Sequence, residues 1–568
     1  MIRSNGAARW PIPDEPDVSG LPQDVPAVVA RLLVSRGIST ASELEGFLNP
    51  SHLPHDPLLL PDMQPAVERL RAAVEQGETV GVFGDFDVDG ITGTAIMCEG
   101  LGSLGAYPVP YIPERTDEGH GLSVGAIDSL VQAGASLIVT VDCGITDADE
   151  VAYASDRGVD VIITDHHVPP SGLPKAAACV NARLEGSRYP FVDLCGAGLA
   201  LKVIDALHRS WGVPCDPALL ELAALGSVAD LVPLLDENRY LVSHGVERLR
   251  ITRRPGLLAL YEKARLSPEQ ISSESISFQI APRLNAAGRM GNPADSLRLL
   301  TTRSDDEALM LAERLEELNQ RRRAATEEAT TLAVEAVEAM PSVPCILVVA
   351  HDAIPQGVAG LAASRLVERY RRPAVVLSVN GDQAVASARS IPEFDIVEAI
   401  GSVSELLVRY GGHSQAAGFT VPTNLIQETK ERLLAHAGPR LDALDLNPVL
   451  EIDAIATMPE LTMDAHDWLT SLEPFGKANR RPLFASLGVV VKEARLVGRN
   501  QQHLRLRVEQ QGREMVALAF NQAEEWRALE SQQPGPSRLD LAYTLMLDSW
   551  QGQDTLALRT QAFRIAQS

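Results

Sequence analysis

The sequence predicts two α/β domains that are joined by a long helix and followed by an all-β domain. Three observations predict this arrangement. Short apolar runs alternate with helical stretches after Thr79, helical periodicity begins behind a capping-box sequence at Ser304, and apolar and polar residues alternate with a period of two beyond about residue 450. The chain has 568 residues, which is enough for about three or four domains of ordinary size.

Residues 1–75 form an N-terminal region that is rich in proline and mostly helical in pattern. The segment PIPDEPDVSGLPQDVP predicts irregular backbone, since proline fixes φ and lacks a backbone donor. The region contains no chemical motif, so we expect it to support the fold or to clasp a substrate.

Three strands that end in polar clusters predict the first α/β domain, residues 76–303. TVGVF runs into GDFDVDG, LIVTV into DCG, and VDVIIT into DHH, and helical stretches are expected at residues 92–101, 123–132 and 146–155. Strands that alternate with helices of this length form a parallel sheet. The functional site of such a sheet lies at the carboxyl ends of its strands.

Residues 304–340 are predicted to form the connecting helix. Ser304 and Glu307 have the spacing of a capping box, and apolar residues repeat at helical spacing behind them. The high content of charged residues is typical of a solvated helix between domains.

A second α/β pattern occupies residues 341–447. CILVVA and PAVVLSV are expected as strands around the helix GVAGLAASRLVERY, whereas ASARSI and GGHSQAAGF are expected as loops. In residues 448–568, the runs LRLRV, REMVALAF, DLAYTLML and DTLALRT alternate with a period of two. This alternation predicts a small antiparallel barrel or sandwich.

Composition and charge exclude several classes of protein. Lys and Arg number 50 against 75 Asp and Glu, and the net charge of −25 argues against nonspecific coating of nucleic acid. The six cysteines include no CxxC pair, which argues against structural zinc and for a reducing compartment. Without an apolar leader or an apolar run near the roughly 18 residues of a membrane span, we expect a cytoplasmic protein with no membrane partner.

Ligand-type side chains follow the predicted strands. They are Asp85, Asp87 and Asp89 in GDFDVDG, Asp142 in VDCG, Asp165, His166 and His167 in TDHH, and Asp230 in SVADLVPL. If they converge, so many carboxylates repel one another unless cations neutralise them. Oxygen-rich ligands with one or two imidazoles favour Mn²⁺ or Mg²⁺ over Zn²⁺. Taken singly, DxDxDG is also typical of a turn or a calcium loop, and an adjacent histidine pair is often incidental.

A series of motifs follows in order from Thr79 onward. They are GDFDVDGITGT, IPERTDEGHGL, VDCGIT, DHH, CGAGLALK, SVADLVPL, APRLNAAGRMG, ASARSI, GGHSQAAGF and LEPFGKANRRPLF. Together they resemble the RecJ family of exonucleases in the DHH phosphoesterase superfamily. The resemblance implies a DHH catalytic domain, a DHH-associated substrate-binding domain and an OB-fold-like barrel that binds nucleic acid. It also implies an exonuclease specific for single-stranded DNA, which works from 5′ to 3′, releases 5′-mononucleotides and serves DNA repair and recombination.

The resemblance further assigns roles to the cluster. Two divalent cations, Mn²⁺ or Mg²⁺, would be held by Asp87, Asp89, Asp142, His166 and Asp230, with Asp142 as the bridge. His167 would be a ligand or a group beside the scissile phosphate, so that Asp142, His166 and His167 form the catalytic centre. Asp85 would be a further ligand or would orient its loop, and Asp165 would support the histidines by hydrogen bonding. A water activated by the ions would attack phosphorus in line.

Substrate contacts are implied by the same motifs. They fall on Arg115, His120, Arg289, Ser387, Arg389, Gly412 and His413. Arginine suits a terminal phosphate because its planar fork donates two hydrogen bonds at once, although a surface salt bridge is the default role of a single arginine. Residues 357–360 would open a helix whose N–H groups hold a backbone phosphate. Family members commonly carry tyrosine at the position of His120, and histidine stacks more weakly on a base.

The implied substrate is single-stranded DNA with a 5′-phosphate, and the implied partners of a monomeric enzyme are a single-strand-binding protein and a helicase. Two other functions compete. A phosphodiesterase for cyclic dinucleotides or very short RNA would be built from the two α/β domains alone, so the N-terminal region and the barrel argue against it. A non-catalytic replication scaffold would have lost the ligand residues that this chain retains.

Overall fold

The computed structural model describes residues 9–49, 55–114, 118–447, 449–533, 535, 537–548 and 554–566. These residues form two compact units. The single-sheet unit contains the described residues between 50 and 323, together with residues 474–480. The two-sheet unit contains the described residues up to 49, residues 324–473 and the described residues from 481 onward.

In the described part of the chain, three α-helices precede the first strand. They are α1 (Ala27–Ser35) and α2 (Ala41–Leu48) in the two-sheet unit, and α3 (Met63–Gln76) in the single-sheet unit. Thr40 and Glu43 form a capping box at the start of α2. The Pro-rich segment before α1 is irregular, as predicted.

A five-stranded parallel sheet forms the core of the single-sheet unit. Its elements are β1 (Thr79–Gly84), α4 (Val88–Ser103), β2 (Tyr107–Tyr111), α5 (Val124–Gln132), β3 (Ala135–Val141), α6 (Ala148–Asp156), β4 (Asp160–Thr164) and β5 (Ala178–Val180). The spatial order is β2-β1-β3-β4-β5, and all pairings are parallel. The predicted parallel sheet is therefore confirmed.

The direction of the strand order reverses between β1 and β3, because the chain places β2 on one side of β1 and β3 on the other. Open α/β sheets bind ligands at such a reversal, beyond the carboxyl ends of the strands. Sequence patterns missed the two edge strands. YPVPY in β2 contains two prolines, and β5 has only three residues, so neither gives a strong strand signal.

Seven helices complete the single-sheet unit. They are α7 (Gly196–Ser210), α8 (Leu219–Ala229), α9 (Asp236–Arg250), α10 (Pro255–Ala264), the single turn α11 (Ser273–Ser275), α12 (Ala281–Met290) and α13 (Ala294–Thr301). The apolar faces of α4, α7 and α8 share one buried core with β1 and β3. This packing fixes the helix ends that carry Asp89, Gly196 and Asp230.

The predicted long helix is confirmed as α14 (Asp305–Glu338), which extends from the single-sheet unit into the two-sheet unit. Ser304 Oγ accepts a hydrogen bond of 3.3 Å from the backbone N–H of Glu307, as its capping-box spacing predicts.

The first sheet of the two-sheet unit has the order β6-β7-β8-β10-β9. Its elements are β6 (Leu347–His351), α15 (Gln356–Tyr370), β7 (Ala374–Asn380), β8 (Gln383–Arg389), α16 (Ile396–Gly401), β9 (Arg409–His413), β10 (Ala416–Pro422) and α17 (Ile426–Leu441). The prediction of loops for ASARSI and GGHSQAAGF was wrong, because these segments contribute to β8, β9 and β10. Their Gly, Ala and Ser residues have low strand propensity, and only pairing with neighbouring strands stabilises the extended backbone.

The second sheet of this unit closes into a barrel. Its elements are β11 (Ala454–Ile455), α18 (Met463–Ser471), β12 (Phe484–Val497), β13 (His503–Gln510), β14 (Arg513–Ala519), α19 (Ala523–Gln532), β15 (Arg538–Asp548) and β16 (Thr555–Ile565). The order is β11-β12-β13-β14-β16-β15, and pairing of β12 with β15 closes a ring of five strands. Pairing of β14 with β16 is parallel, whereas a fully antiparallel barrel was predicted. A closed five-stranded barrel of this kind is OB-like, and the sandwich alternative is excluded.

In the described part of the chain, no helix is both long and apolar enough to cross a membrane.

Candidate functional site

The GDFDVDG loop joins β1 to α4 and turns sharply at its acidic residues. Asp87 is the N-cap of α4, and its Oδ1 accepts hydrogen bonds from the N–H groups of Asp89 (2.9 Å) and Gly90 (3.2 Å). A Cβ at Gly90 would lie 2.5 Å from the carbonyl oxygen of Asp85, so only glycine fits here. The cap and the glycine together fold the three aspartates into one tight turn.

The side chain of Asp89 is buried against the start of α7. Its Oδ2 accepts from Gly196 N–H at 2.6 Å, and its Oδ1 accepts from Ala197 N–H at 2.8 Å. A carboxylate at a helix N-terminus is stabilised by the free N–H groups and the helix dipole. The CGAGLALK motif thus fixes the orientation of Asp89, a role that the sequence did not reveal.

Parallel register brings the loops after β1, β3 and β4 side by side. Asp85 N–H donates to Val141 O at 3.2 Å, and Asp142 N–H donates to Thr164 O at 2.9 Å. Asp142 has a left-handed backbone with φ of 64°, which is uncommon for a residue with a side chain. Such backbone strain persists where packing over-determines it, often at functional sites.

Asp142 and His166 face each other at the centre of the cluster. Nε2 of His166 lies 3.0 Å from Oδ1 of Asp142, but without hydrogen-bond alignment, and this buried oxygen has no hydrogen-bond partner among the described residues. The same Nε2 lies 3.8 Å from Oδ2 of Asp230 and 3.9 Å from Oδ2 of Asp89. One imidazole nitrogen therefore faces three carboxylates.

Asp165 supports the second histidine. Its Oδ1 lies 2.7 Å from Nδ1 of His167 and accepts a hydrogen bond from the backbone N–H of the same residue at 3.0 Å, while its Oδ2 accepts from Ile145 N–H. Burial opposes ionisation of Asp165, but its hydrogen bonds and the charge of His167 outweigh burial and hold its pKa below the ordinary value. The carboxylate thereby fixes the ring, as carboxylates behind metal-binding histidines do.

The predicted ligand residues converge. Three overlapping groups each have ligand atoms within 4.8 Å of one another: Asp85, Asp87 and Asp142; Asp89, His166 and Asp230; and Asp142, His166 and His167. Asp142 and His166 each belong to two groups, so the cluster has room for more than one ion. Adjacent ligands of an octahedral ion with bonds of about 2.1 Å are about 3 Å apart, which is the separation of the Asp142 and His166 ligand atoms.

Burial and mutual repulsion raise the pKa values of several carboxyl groups in the cluster. Burial and the charges of Asp85 and Asp89 raise the pKa of Asp87 to about 7. Burial and the charge of Asp89 raise the pKa of Asp230 to about 6. Burial and four neighbouring aspartates also raise the pKa of Asp142 well above its ordinary value. Divalent cations would remove this repulsion, so the donor set fits metal ions of the Mn²⁺ and Mg²⁺ kind.

The pKa of His166 shifts in the direction that suits a ligand. Burial lowers this pKa, although the charge of Asp230 opposes the effect. A neutral imidazole has a free lone pair and can therefore bind a metal ion.

His120 lies next to Asp85. Nδ1 of His120 is 3.0 Å from Oδ1 of Asp85, and the hydrogen bond and charge of Asp85 raise the pKa of His120 to about 9 against the opposing effect of burial. The ring also packs edge-on against Phe86 and His167, with centroids 6.4 and 5.5 Å away. Its side chain is half exposed, and the sequence had suggested a contact with a base for this residue rather than an ion pair with Asp85.

Helix α12 buttresses the GDFDVDG loop through its LNAAGRM sequence. Asn285 Oδ1 accepts from Val88 N–H at 3.2 Å, and a Cβ at Gly288 would lie 2.9 Å from the carbonyl oxygen of Phe86. Arg289 follows Asn285 by four residues and so lies on the same side of α12. The sequence singled out Arg289 but missed Asn285, for which the motif was the only signal.

The other predicted substrate residues belong to the two-sheet unit, except Arg115, which lies outside the described residues. Ser387 and Arg389 are on β8 beside the first turns of α15: a Cβ at Gly360 would lie 3.1 Å from Nη2 of Arg389 and 3.6 Å from Cβ of Ser387.

His413 is exposed on the edge strand β9. Gly412 has φ of 135°, and a Cβ there would lie 2.4 Å from Cα of Ala417.

Comparison with known proteins identifies three domain types. The models described as DHH family N-terminal domain, DHHA1 domain and RecJ OB domain match residues 79–227, 343–438 and 452–562. The single-stranded-DNA-specific exonuclease RecJ of Bacillus subtilis is 36% identical over 549 residues, which are 95% of this chain and 69% of that protein.

Two solved structures are also similar. RecJ from Thermus thermophilus in complex with Mn²⁺ matches with a TM-score of 0.85 and 30% identity, over 99% of this chain and 80% of that one. RecJ from the same organism in complex with Mg²⁺ matches with a TM-score of 0.77 and 28% identity, over 99% and 79% of the two chains.

Proposed function

The chain belongs to the RecJ family of single-stranded-DNA-specific exonucleases, and from this membership we propose that it hydrolyses phosphodiesters of single-stranded DNA in a metal-dependent reaction. The reaction proceeds from the 5′ end, releases 5′-mononucleotides and serves DNA repair and recombination. One observation carries the proposal: buried carboxylates and a neutral imidazole converge on Asp142, whose Oδ1 has no hydrogen-bond partner in the described part of the protein.

The ligand assignment is part of this proposal. Two divalent cations, Mn²⁺ or Mg²⁺, would be held by Asp87, Asp89, Asp142, His166 and Asp230, with Asp142 as the candidate for the ligand that they share. Asp85 and His167 lie close enough to complete the set, which their groupings with Asp142 support. When bound, the ions lower the pKa of a water and stabilise negative charge on the attacking and leaving oxygens.

The protein side chains orient these groups. The first turn of α7 holds Asp89, Asp165 holds His167, and His120 holds Asp85. Loss of a hydrogen bond of this kind commonly lowers metal affinity or activity by about 10- to 100-fold. No Ser or Cys nucleophile is required.

Polarity comes from capture of the terminal 5′-phosphate, for which Arg389 and Ser387 are the proposed contacts, and Arg115 is a further contact with the substrate. The contact of Arg389 and Ser387 with the start of α15 supports this assignment, because a guanidinium, a hydroxyl and helix N–H groups suit a phosphate. Further contacts with the strand come from His120, Arg289, Gly412 and His413. The absence of a Cβ at Gly412 lets a strand approach the backbone closely.

The organisation proposed for the chain follows the sequence boundaries. A catalytic domain occupies residues 76–303, a DHH-associated substrate-binding domain occupies residues 341–447, and an OB-fold-like domain occupies residues 448–568. Residues 1–75 support the fold, and residues 304–340 connect the α/β domains. We further propose that the enzyme is a cytoplasmic monomer, which receives strands from a helicase and a single-strand-binding protein.

A digestion assay tests the function. Full-length protein with Mn²⁺ is given single-stranded DNA that is labelled at either end, with and without a 5′-phosphate, and also blunt duplex and RNA. We expect loss of the 5′ label as mononucleotide, with duplex spared. The matched control is Asp142→Asn, which keeps the shape of the side chain but removes its charge.

Three outcomes would contradict the proposal. Equal loss of both labels would remove the polarity. Hydrolysis of cyclic dinucleotides or very short RNA, with long DNA spared, would indicate a phosphodiesterase. Binding of DNA without hydrolysis under Mn²⁺ and Mg²⁺ would indicate a scaffold.

A further inference from the structure

The segment 474–480, here called the PFGKANR turn, packs with the single-sheet unit although its sequence neighbours on both sides belong to the two-sheet unit. It lies within the LEPFGKANRRPLF motif. The position of this seven-residue segment therefore depends on its contacts with the single-sheet unit.

The PFGKANR turn is tight and internally paired. Gly476 N–H donates to Asn479 O at 2.8 Å, and Asn479 N–H donates to Gly476 O at 3.2 Å. Ala478 has a left-handed backbone with φ of 63°, which is unfavourable for a residue with a Cβ. The buried Asn479 amide donates to Pro474 O at 2.9 Å and closes the base of the turn. The conformation is thus imposed by specific hydrogen bonds at the expense of backbone strain.

The single turn α11 and the loop before α9 both contact the PFGKANR turn. Ser273 Oγ donates to Phe475 O at 2.6 Å, and Leu234 N–H donates to Lys477 O at 2.9 Å. A Cβ at Gly476 would lie 2.6 Å from Cδ1 of Leu234, so the two segments are in close contact. Leu234 is four residues after Asp230, a residue of the metal cluster.

The backbone of Lys477 is therefore fixed while its side chain remains exposed. Lys477 forms no ion pair among the residues that the structure describes. The contact with Leu234 places the backbone of Lys477 against the loop that follows Asp230, four residues beyond that aspartate. Leu231, between Asp230 and the contact with the turn, is also left-handed, with φ of 58°, and is 60% exposed.

We propose that Lys477 binds a backbone phosphate of the DNA strand at the rim of the metal centre, beside Asp230. This inference rests on the proposed function, since it concerns how that site holds its substrate. The carboxylates of the cluster repel a polyanion. The ammonium group of Lys477, a residue whose backbone is fixed by the loop after Asp230, supplies the opposite charge. A lysine serves here as a point charge, so it positions the strand regardless of base sequence.

The test compares wild type, Lys477→Gln, Lys477→Arg and the control Lys263→Gln. Lys263 is on α10, in the same unit, and pairs with Glu313 of α14, away from the cluster. The value of kcat/KM for a 5′-phosphorylated oligothymidylate is measured with Mn²⁺ over a series of KCl concentrations. Binding of Mn²⁺ alone is measured by calorimetry in each variant.

We expect Lys477→Gln to raise KM about five- to tenfold and to reduce the slope of log(kcat/KM) against log[KCl] by about 0.7, the value for one phosphate contact on a single strand. Lys477→Arg should retain most of the slope, and Lys263→Gln should retain all of it. Affinity for Mn²⁺ should change less than about twofold.

An unchanged slope and KM in Lys477→Gln would overturn the inference, as would a large change in Mn²⁺ affinity that accounts for the whole loss. The proposed function fails separately, if wild-type protein does not degrade the oligonucleotide at all.

Discussion

Nε2 of His166 lies 3.0 Å from Oδ1 of Asp142, yet the two atoms are not aligned for a hydrogen bond and the oxygen has no other partner within the described residues. Asp142 reaches this position on a strained left-handed backbone, and His166 reaches it from the next strand of the sheet. A carboxylate oxygen and an imidazole nitrogen that lie about 3 Å apart without a hydrogen bond have the separation of adjacent ligands of one octahedral cation.

Asp142→Asn should abolish cleavage. The change removes the charge of the proposed bridging ligand, and since loss of a supporting hydrogen bond already costs about 10- to 100-fold, we expect a fall of more than 100-fold in kcat. The measurement is release of labelled mononucleotide under single-turnover conditions. DNA binding, followed by fluorescence anisotropy, should remain measurable, and full activity in this variant would remove Asp142 from the site.

Cation binding should release protons and should tighten as pH rises. Asp87 and Asp230 have pKa values of about 7 and about 6 without cations, so both are partly protonated near pH 6 and must ionise to bind a metal. Calorimetric titration with Mn²⁺ in two buffers of different ionisation enthalpy measures the protons released. The number released should fall between pH 6 and pH 8, and heats that do not depend on the buffer would contradict the assignment.

Cation-free protein should lose stability as pH rises from about 4 to 7. The folded-state pKa of Asp87 and that of Asp142 are raised above the unfolded values, so the folded state holds more protons in this window and deprotonation favours unfolding. Mn²⁺ should reverse the trend, by about 2.7 kcal/mol per site at 100 times Kd. Thermal unfolding with EDTA or Mn²⁺ measures this. Asp142→Asn should weaken the pH dependence, because it removes one of the coupled charges.

His120→Phe should lower kcat/KM by about 10- to 100-fold, because Asp85 loses its partner. The Asp85 hydrogen bond raises the pKa of His120 to about 9, so the ion pair is present below that pH and is lost above it. The wild-type pH profile should therefore show a falling limb near pH 9 that His120→Phe lacks. His120→Tyr, which restores the common family residue with its polar group, should retain more activity than His120→Phe. Equal loss in both would favour a purely steric role.

Arg389→Ala should weaken the preference for a 5′-phosphate by about tenfold, since a charge-assisted contact with phosphate is lost. The measurement is the ratio of kcat/KM on phosphorylated and hydroxyl-ended DNA. Arg365→Ala is the matched control, because Arg365 lies on the same helix as Gly360 but is exposed and paired with Glu368. A preference that is unchanged in Arg389→Ala would place phosphate capture elsewhere.

The net charge of −25 is compatible with a DNA substrate once the charges are located. Five aspartates belong to the acidic cluster, where bound cations would reverse the local sign. On the barrel, Leu504, Leu506 and Val508 are buried while Arg507 is exposed and lies near Glu493 and Glu514, so acidic neighbours offset even basic strand faces. We therefore expect DNA binding to depend on bound metal ions and on particular basic side chains, and not on the net charge of the protein.

Sequence patterns predicted the longer apolar strands of the parallel sheet and failed for strands that are short or rich in small residues. β1, β3 and β4 are continuous apolar runs, which have a strong signal because both faces of the sheet are covered. β8 and β9 are rich in small residues and in glycine, and they are extended only because β7 and β10 pair with them. The amino-acid composition of a strand does not predict which strands will pair with it.

By itself, the sequence determined the class of chemistry, because carboxylates and histidines at the ends of successive apolar strands must meet at one edge of a parallel sheet. Tertiary structure decided how each group is held: the first turn of α7 contacts Asp89, His120 contacts Asp85, Asn285 contacts the GDFDVDG loop, and the PFGKANR turn contacts Leu234. These partners are between 35 and 243 residues apart in the chain. Such contacts follow from packing of whole elements, and no periodicity within a short window can specify them.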